Sequence, residues 1–156
     1  MADENANSTA AQTGVWNDPY RAYNFKLEIQ GVVEGHFFEC SGLKIRVQTI
    51  SYREAGNAQI VHRLPGPVEY GELTLRWGLT SSQELWRWFQ TTVSGKVERR
   101  NVSVVVLDND GVGEVMRWNL INAWLSEWHA PPLHALSKEV AIGTVTLVTE
   151  TVSAGE

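Results

Sequence analysis

The chain has 156 residues, 43% hydrophobic and 20% charged, with a net charge of −5, one cysteine and seven tryptophans. That length suits a single domain with a substantial core, and the acidic balance argues against a surface built to neutralise phosphates. The lone Cys40 cannot form an intramolecular disulfide, no apolar run reaches membrane-spanning length, and the polar, acidic N-terminus has no signal-peptide core.

In chain order, residues 1–16 read as a flexible polar tail ahead of one domain spanning 17–156. Asn17-Asp18-Pro19 is a turn signal. Tyr23, Phe25, Leu27 and Ile29 alternate with polar residues and predict a half-buried strand. Gly31 and Gly35 bracket a turn, and His36 to Cys40 is a short return strand. Leu43, Ile45 and Val47 predict a third strand, whose alternation slips by one near residues 49–52, as at a bulge or a change of exposure. The polar connector Glu54-Ala55-Gly56-Asn57 leads to a returning strand at Ile60–Leu64. Pro65-Gly66-Pro67 is expected to stop that ladder, because proline lacks an amide donor. Leu73, Leu75 and Trp77 then form the inward side of another strand.

One helix follows. Ser81 and Glu84 form a capping box, Leu85, Trp88, Phe89 and Val93 fall on one face, and Gly95 sits just past the end. Trp86 lies off that stripe, which places it against a second element, against another chain, or in a core that wraps wider around the helix. The apolar run Val102–Leu107 predicts a strand covered on both faces, and Asp108-Asn109-Asp110-Gly111 a hairpin turn. Met116, Trp118, Leu120, Asn122 and Trp124 give a long strand with one apolar face, ended by Ala130-Pro131-Pro132. The last predicted strand is Glu139–Thr149. The fold class is mainly β: an antiparallel β-barrel or sandwich with one α-helix and an extended hairpin.

The chemistry-bearing patterns are poor. His36, His62, His129 and His134 form no HxH or HExxH pair, and one cysteine makes no CxxC. The Asp108 turn fails as a calcium loop, since Asn119 stands where a bidentate Glu is needed. Walker A, dinucleotide and nucleophile-elbow patterns are missing. Glu69 and Glu72, at an odd spacing on a strand, fall on opposite faces. Arg99-Arg100 precedes an apolar strand without interleaved aromatics, which favours solvated charges or intersubunit ion pairs over nucleic-acid binding. No catalytic, metal or cofactor site is expected, so the predicted class is non-enzymatic.

Taken jointly and in order, DPYRAYNFKLEI with GHFFECSGL, YREAGN, LPGPVEYGELTLRWGL, the helix ending at Gly95, VERRNVSVVVLD, and RWNLINAW with LSKEVAIGTVTLVTE resemble the tail tube proteins of contractile phage tails and contractile injection systems. The resemblance covers about Asp18 to Thr149. It implies a β domain that assembles into hexameric rings stacked into a rigid inner tube, with a lumen for cargo effector or DNA. Implied partners are further copies of itself, a sheath protein whose contraction drives the tube, and baseplate, initiator and terminator proteins. Assembly is expected in the bacterial cytoplasm, without a membrane anchor. The family hairpin corresponds to about Thr49–Leu64 and is expected to reach an adjacent subunit or ring. Its interface candidates are Tyr52, Arg53, Glu54, Gly56, Asn57, Arg63 and Pro65, joined by Arg99 and Arg100. The competing expectations are a monomeric ligand-binding β-barrel and a tube-initiator or baseplate ring.

Overall fold

A computed structural model describes residues 20, 21, 23–30, 37–56, 59–78 and 83–155. Nine strands and one helix run in the order β1 (Phe25–Ile29), β2 (Phe37–Ser41), β3 (Ile45–Arg53), β4 (Val61–Tyr70), β5 (Leu73–Gly78), α1 (Glu84–Val93), β6 (Arg100–Leu107), β7 (Glu114–His129), β8 (Ile142–Val148) and β9 (Thr151–Gly155). Seven strands form a continuous antiparallel sheet ordered β1-β6-β7-β8-β5-β2, with β9 also on β7. The other two, β3 and β4, form a separate ribbon.

The sixteen-residue β7 joins two half-sheets. Its first half pairs with β6 and β9, and its second half with β8. Between the halves Arg100 faces Ala123 and Val102 faces Leu120, so Ile121 and Asn122 together oppose Asn101. This is a β-bulge, and Asn122 has a φ of 55°, a left-handed conformation that asparagine tolerates better than most residues. The Asn101 side-chain carbonyl accepts the Asn122 backbone N–H at 3.3 Å, and the Asn122 amide donates to Glu150 at 2.9 Å. The bend folds the half-sheets over one another. Ile29, Val102, Leu120 and Val152 from one half meet Leu73, Leu75, Val145 and Leu147 from the other in a single core. The sandwich reading of the sequence describes this arrangement.

Helix α1 covers the second half-sheet. Leu85 and Trp88 are each 1% exposed, and the Trp88 indole N–H donates to the Glu98 carbonyl at 2.8 Å. Trp128 on β7 receives Trp77 edge-on at 4.9 Å, Trp86 edge-on at 5.1 Å and Phe89 stacked at 6.0 Å. Trp86 thus meets a second element of the same chain. Gly143, opposite Trp77 on the neighbouring strand, leaves the space that this indole fills. A Cβ at Gly143 would lie 2.6 Å from the ring.

Several expectations give way to the tertiary context. Strand β2 pairs with β5 rather than returning along β1, which takes β6 as its partner. Locality alone suggested the hairpin, and sequential strands fail to neighbour in about a third of cases. Strand β4 runs straight through Pro65-Gly66-Pro67. Val47 faces Val68 and Thr49 faces Pro65, so Gly66 and Pro67 form a bulge opposite Gln48. A two-stranded ribbon leaves half of its amide positions unpaired, and a bulge frees others, so the prolines fit.

The helix begins at Glu84, with Gln83 at the N-cap and no side-chain capping bond, while Ser81 lies outside the described residues. Val93 is 64% exposed, one turn beyond the buried stripe. On β7 the inward phase changes at the bulge. Leu120 is buried before it and Ala123 and Leu125 after it, leaving Asn122 exposed and Met116 46% exposed. The final predicted strand, Glu139–Thr149, is observed as β8, and the short β9 lies beyond it, where the sequence reading placed no strand. The residues 1–19 that include the predicted tail, and His36, lie outside the described residues.

Two measurements check this account. Gly143→Ala is expected to lower unfolding free energy by about 1–3 kcal/mol in urea titration, because Trp77 must move or strain. On β1, Glu28 sits 2.6 Å from Lys26 and 3.0 Å from Arg117, and these hydrogen-bonded cations hold its carboxyl below the ordinary value of 4.5. A lowered carboxylate pKa gives stability that is present above the unfolded-state value and lost as pH falls through the folded one. Glu28→Gln is therefore expected to cost roughly 0.5 kcal/mol or less at about pH 7, since the pair is solvent-screened. The difference should shrink in melts as the pH is taken progressively below the ordinary carboxylate value.

Candidate functional site

The ribbon of β3 and β4 is the part of the described chain that its own core does not cover. All nine β3 residues are exposed, as are eight of the ten on β4. At about 3.3 Å per residue, β4 makes an arm roughly 30 Å long. Its side chains are not those of a solvated hairpin. Ile45, Ile50 and Tyr52 are each 52% exposed, Val47, Leu64 and Val68 are 47–49% exposed, and Val61 is 39% exposed. An isolated two-stranded hairpin is marginal at best in water, and this one holds its apolar side chains against solvent.

The bulge divides the ribbon into two patches. On β3, which has no inserted residue, odd-numbered and even-numbered side chains point to opposite faces. The cross-strand pairs Ile45–Tyr70 and Val47–Val68 lie on one face near the base. Beyond the bulge, Ile50–Leu64 and Tyr52–His62 lie on the other face. Gly66 suits the bulge because a Cβ there would come within 3.0 Å of the Gln48 carbonyl. Near the base, Gln48 donates to Glu69 across the strands and the Gly71 N–H bonds the Lys44 carbonyl at 2.7 Å.

At the foot of the ribbon an apolar groove of about 660 Å³ opens between β2 and the first half-sheet. Phe25, Phe38, Cys40, Val106 and Trp118 line it, Ile45 reaches it from the ribbon, and Glu39 is its one charged lining residue. Glu39 is held by Arg76 at 2.8 Å. Burial pushes the Cys40 thiol up to about 11, so little thiolate forms near neutral pH.

The structure places Tyr52, Arg53, Glu54, Gly56 and Arg63 on the outer part of the ribbon and Pro65 at its bulge, opposite Thr49, while Asn57 lies outside the described residues. Gly56 has a φ of 103°, a conformation nearly closed to other residues. Arg99 and Arg100 lie elsewhere. Arg99 pairs with Glu150 at 3.3 Å beside the β7 bend. Arg100 pairs with Glu98 at 3.2 Å and lies 5.2 Å above the Trp88 ring, an intramolecular role in positioning the helix. The sequence reading missed the apolar majority of the surface: Ile45, Val47, Ile50, Val61, Leu64 and Val68. Its one signal was the slipped alternation near residues 49–52. Among the described residues, no group of three or more His, Cys, Asp or Glu is placed to hold a metal, and no helix is long and apolar enough to cross a membrane.

Comparison with known proteins gives this surface its context. Among curated protein sequences, none matches the chain. Its fold is similar to a chain in the cryo-EM structure of an extracellular contractile injection system, the PVC sheath-tube complex in the extended state. The TM-score there is 0.77 at 27% identity, covering 88% of this chain and 91% of that one. A chain in the PVC sheath/tube terminator structure gives a TM-score of 0.80 at 26% identity, covering 90% and 99%. For a chain of the anti-feeding prophage tube-terminating cap, the likeness is one of fold, with a TM-score of 0.81 at 23% identity, covering 95% and 98%. The family model for the T4-like virus tail tube protein gp19 matches residues 21–153. With that match across nearly the whole described fold, the chain belongs to the T4-like virus tail tube protein family and is a structural tube subunit of contractile systems.

Proposed function

We propose that the β3–β4 ribbon is the arm by which one tube subunit holds the next, and that subunits close into hexameric rings stacked around a lumen. The observation that carries this reading is the ribbon itself, whose apolar side chains are exposed along its length among the described residues. A second copy supplies the missing layer, and closing strands against neighbours removes the free edges that an open sheet leaves exposed. Tyr52, Arg53, Glu54, Gly56 and Arg63 toward the outer end, Pro65 at the bulge, and Asn57 are the contact residues of this reading. Arg99 and Arg100 act at most at the rim, because each is already paired within the subunit.

In this reading the tube is a passive, non-catalytic rod. A sheath surrounds it, a baseplate or initiator starts it and a terminator ends it, and effector or DNA passes through the lumen. Assembly takes place in the bacterial cytoplasm before the particle acts. Support for these partners comes from similarity to chains in sheath-tube and tube-terminator structures. The likeness to the terminator structure also favours a second reading, in which the chain forms a ring that starts or ends a tube. Long tubes from the purified chain alone select the repeating subunit, and single rings that never stack select the other.

Lysine substitutions on the ribbon test the assembly role. Val47→Lys and Leu64→Lys touch half-exposed side chains, so each is expected to shift subunit stability by no more than about 0.5 kcal/mol. Both are expected to abolish rings and tubes in negative-stain microscopy and light scattering. Leu75→Ala, in the core, should instead cost about 2–5 kcal/mol in denaturant titration. Tubes of normal length from both lysine variants would remove the ribbon from the interface.

A further inference from the structure

The apolar groove lies where the chain enters the fold. Phe25, the first residue of β1, lines it together with its cross-strand partner Val106. By strand alternation Tyr23 falls on the same side as Phe25, and it is 68% exposed at the groove's end. The Asn24 N–H donates to the Arg21 carbonyl at 3.2 Å, so the backbone turns just before β1. That turn is pinned to β6 and the loop after it, because Leu107 donates to the Asn24 carbonyl at 2.8 Å and the Asn24 amide donates to the Asp108 carbonyl at 3.1 Å. Residues 1–19 therefore leave the described fold beside the groove. We infer that in the free subunit this segment folds back over the groove and seats Val15 and Trp16 in it, against Phe25, Phe38 and Trp118.

Reach, composition and charge favour this occupant. Trp16 lies nine residues before Phe25, and five residues before the turn at Arg21. Even doubled back at that turn, five extended residues span about 16 Å. Apart from Met1, Val15 and Trp16 are the only large apolar residues among residues 1–19. The groove has an almost wholly apolar lining, and its one carboxylate, Glu39, is already paired with Arg76. An incoming indole therefore strands no unpaired charge. The described residues carry thirteen basic and thirteen acidic side chains, so the net −5 of the chain lies outside them. Asp3, Glu4 and Asp18 put −3 of it in residues 1–19. Among the described residues, Lys44, between the lining residues Leu43 and Ile45, and Arg21, at the turn, have no ion-pair partner. An acidic segment is drawn toward these two cations, and tethering on the same chain gives it a high effective concentration at the groove.

Cys40, the sole cysteine, lines the groove and reports on its occupant. The full chain, kept dilute as free subunits, is reacted with a maleimide beside Trp16→Ala in the same buffer. The variant is expected to label on the order of tenfold faster, as a local cover is lost while the fold stays closed. A second test needs no exposure of the groove. A disulfide requires Cα atoms within about 7 Å, so Val15→Cys under mild oxidation is expected to link to Cys40. The product is a faster-migrating monomer on a non-reducing gel, its yield unchanged by dilution and lost when Cys40→Ser is added. Ala6→Cys, on the same tether but away from the apolar pair, should link far more slowly. Equal labelling of native chain and Trp16→Ala overturns the inference, and so do equal linking rates from Val15→Cys and Ala6→Cys, which describe a tail that moves freely. Links between chains in place of links within them overturn it in favour of a second copy as the occupant. None of these readouts needs a ring or a tube, so the tube reading stands or falls separately, on whether the native chain assembles.

Discussion

The bend in β7 is the constraint on which the rest of the subunit depends. One strand serves both half-sheets, and it can do so only because Ile121 and Asn122 bulge out opposite Asn101. The left-handed Asn122 turns the strand, the Asn101 side-chain carbonyl accepts the backbone N–H that the bulge removes from the ladder, and Glu150 accepts from the Asn122 side-chain amide. Thr149, 7% exposed, sets its hydroxyl 3.0 Å from the carbonyls of Ile121 and Thr151 on either side of the same corner. Buried polar groups are tolerated where they are satisfied. Arg99 adds an exposed ion pair to Glu150. The corner is thus tied by hydrogen bonds and an ion pair among three chain segments, 99–101, 121–122 and 149–151, and the core closes around it with only Tyr70 added from the ribbon.

That independence separates two kinds of apolar surface. Leu73, Leu75, Leu125, Val145 and Leu147 are each fully buried and hold the subunit together. Among the described residues the ribbon reaches that core through Tyr70 at its base, and its Ile, Val and Leu side chains are not in it. Sheet stability comes from cross-strand pairs packed beneath a second layer. The ribbon has the pairs but lacks the layer. A fold that keeps its core and its apolar arm apart can leave the arm free for another molecule.

The sequence was most legible where alternation was strict and the strand had one wet face. Leu73, Leu75 and Trp77 were placed inward and are buried, and the helix was placed with Gly95 past its end, where φ is 81°. It was least legible at the bulges. Each of them shifts the inward phase by one residue, and neither Asn122 nor the Pro-Gly-Pro run tells by itself whether a strand stops or bends. That is why Asn122 was put on the apolar face of β7, and why Pro65-Gly66-Pro67 was taken as the end of a strand that it only bends. The ribbon poses a different problem. Ile45, Val47, Ile50 and Leu64 have the same pattern in a strand that fills its own core as in one that waits for a partner. Alternation reports that a face will be covered, not by which chain. The polar outer residues were legible for a simpler reason, since Glu54-Ala55-Gly56-Asn57 cannot continue a ladder.

The prolines inside β4 have a consequence for the subunit before it finds its place. A long ribbon with two open edges and apolar faces is a ready template for fibrous stacking of identical chains. Pro65 and Pro67 remove two amide donors from the middle of one edge, and the bulge between them breaks the flat repeat that cross-β growth requires. Arg46, Arg53 and Arg63 set like charges opposite one another in any in-register stack. The same residues that bend the arm act as gatekeepers, so that a pool of free subunits is protected from amyloid-like self-pairing.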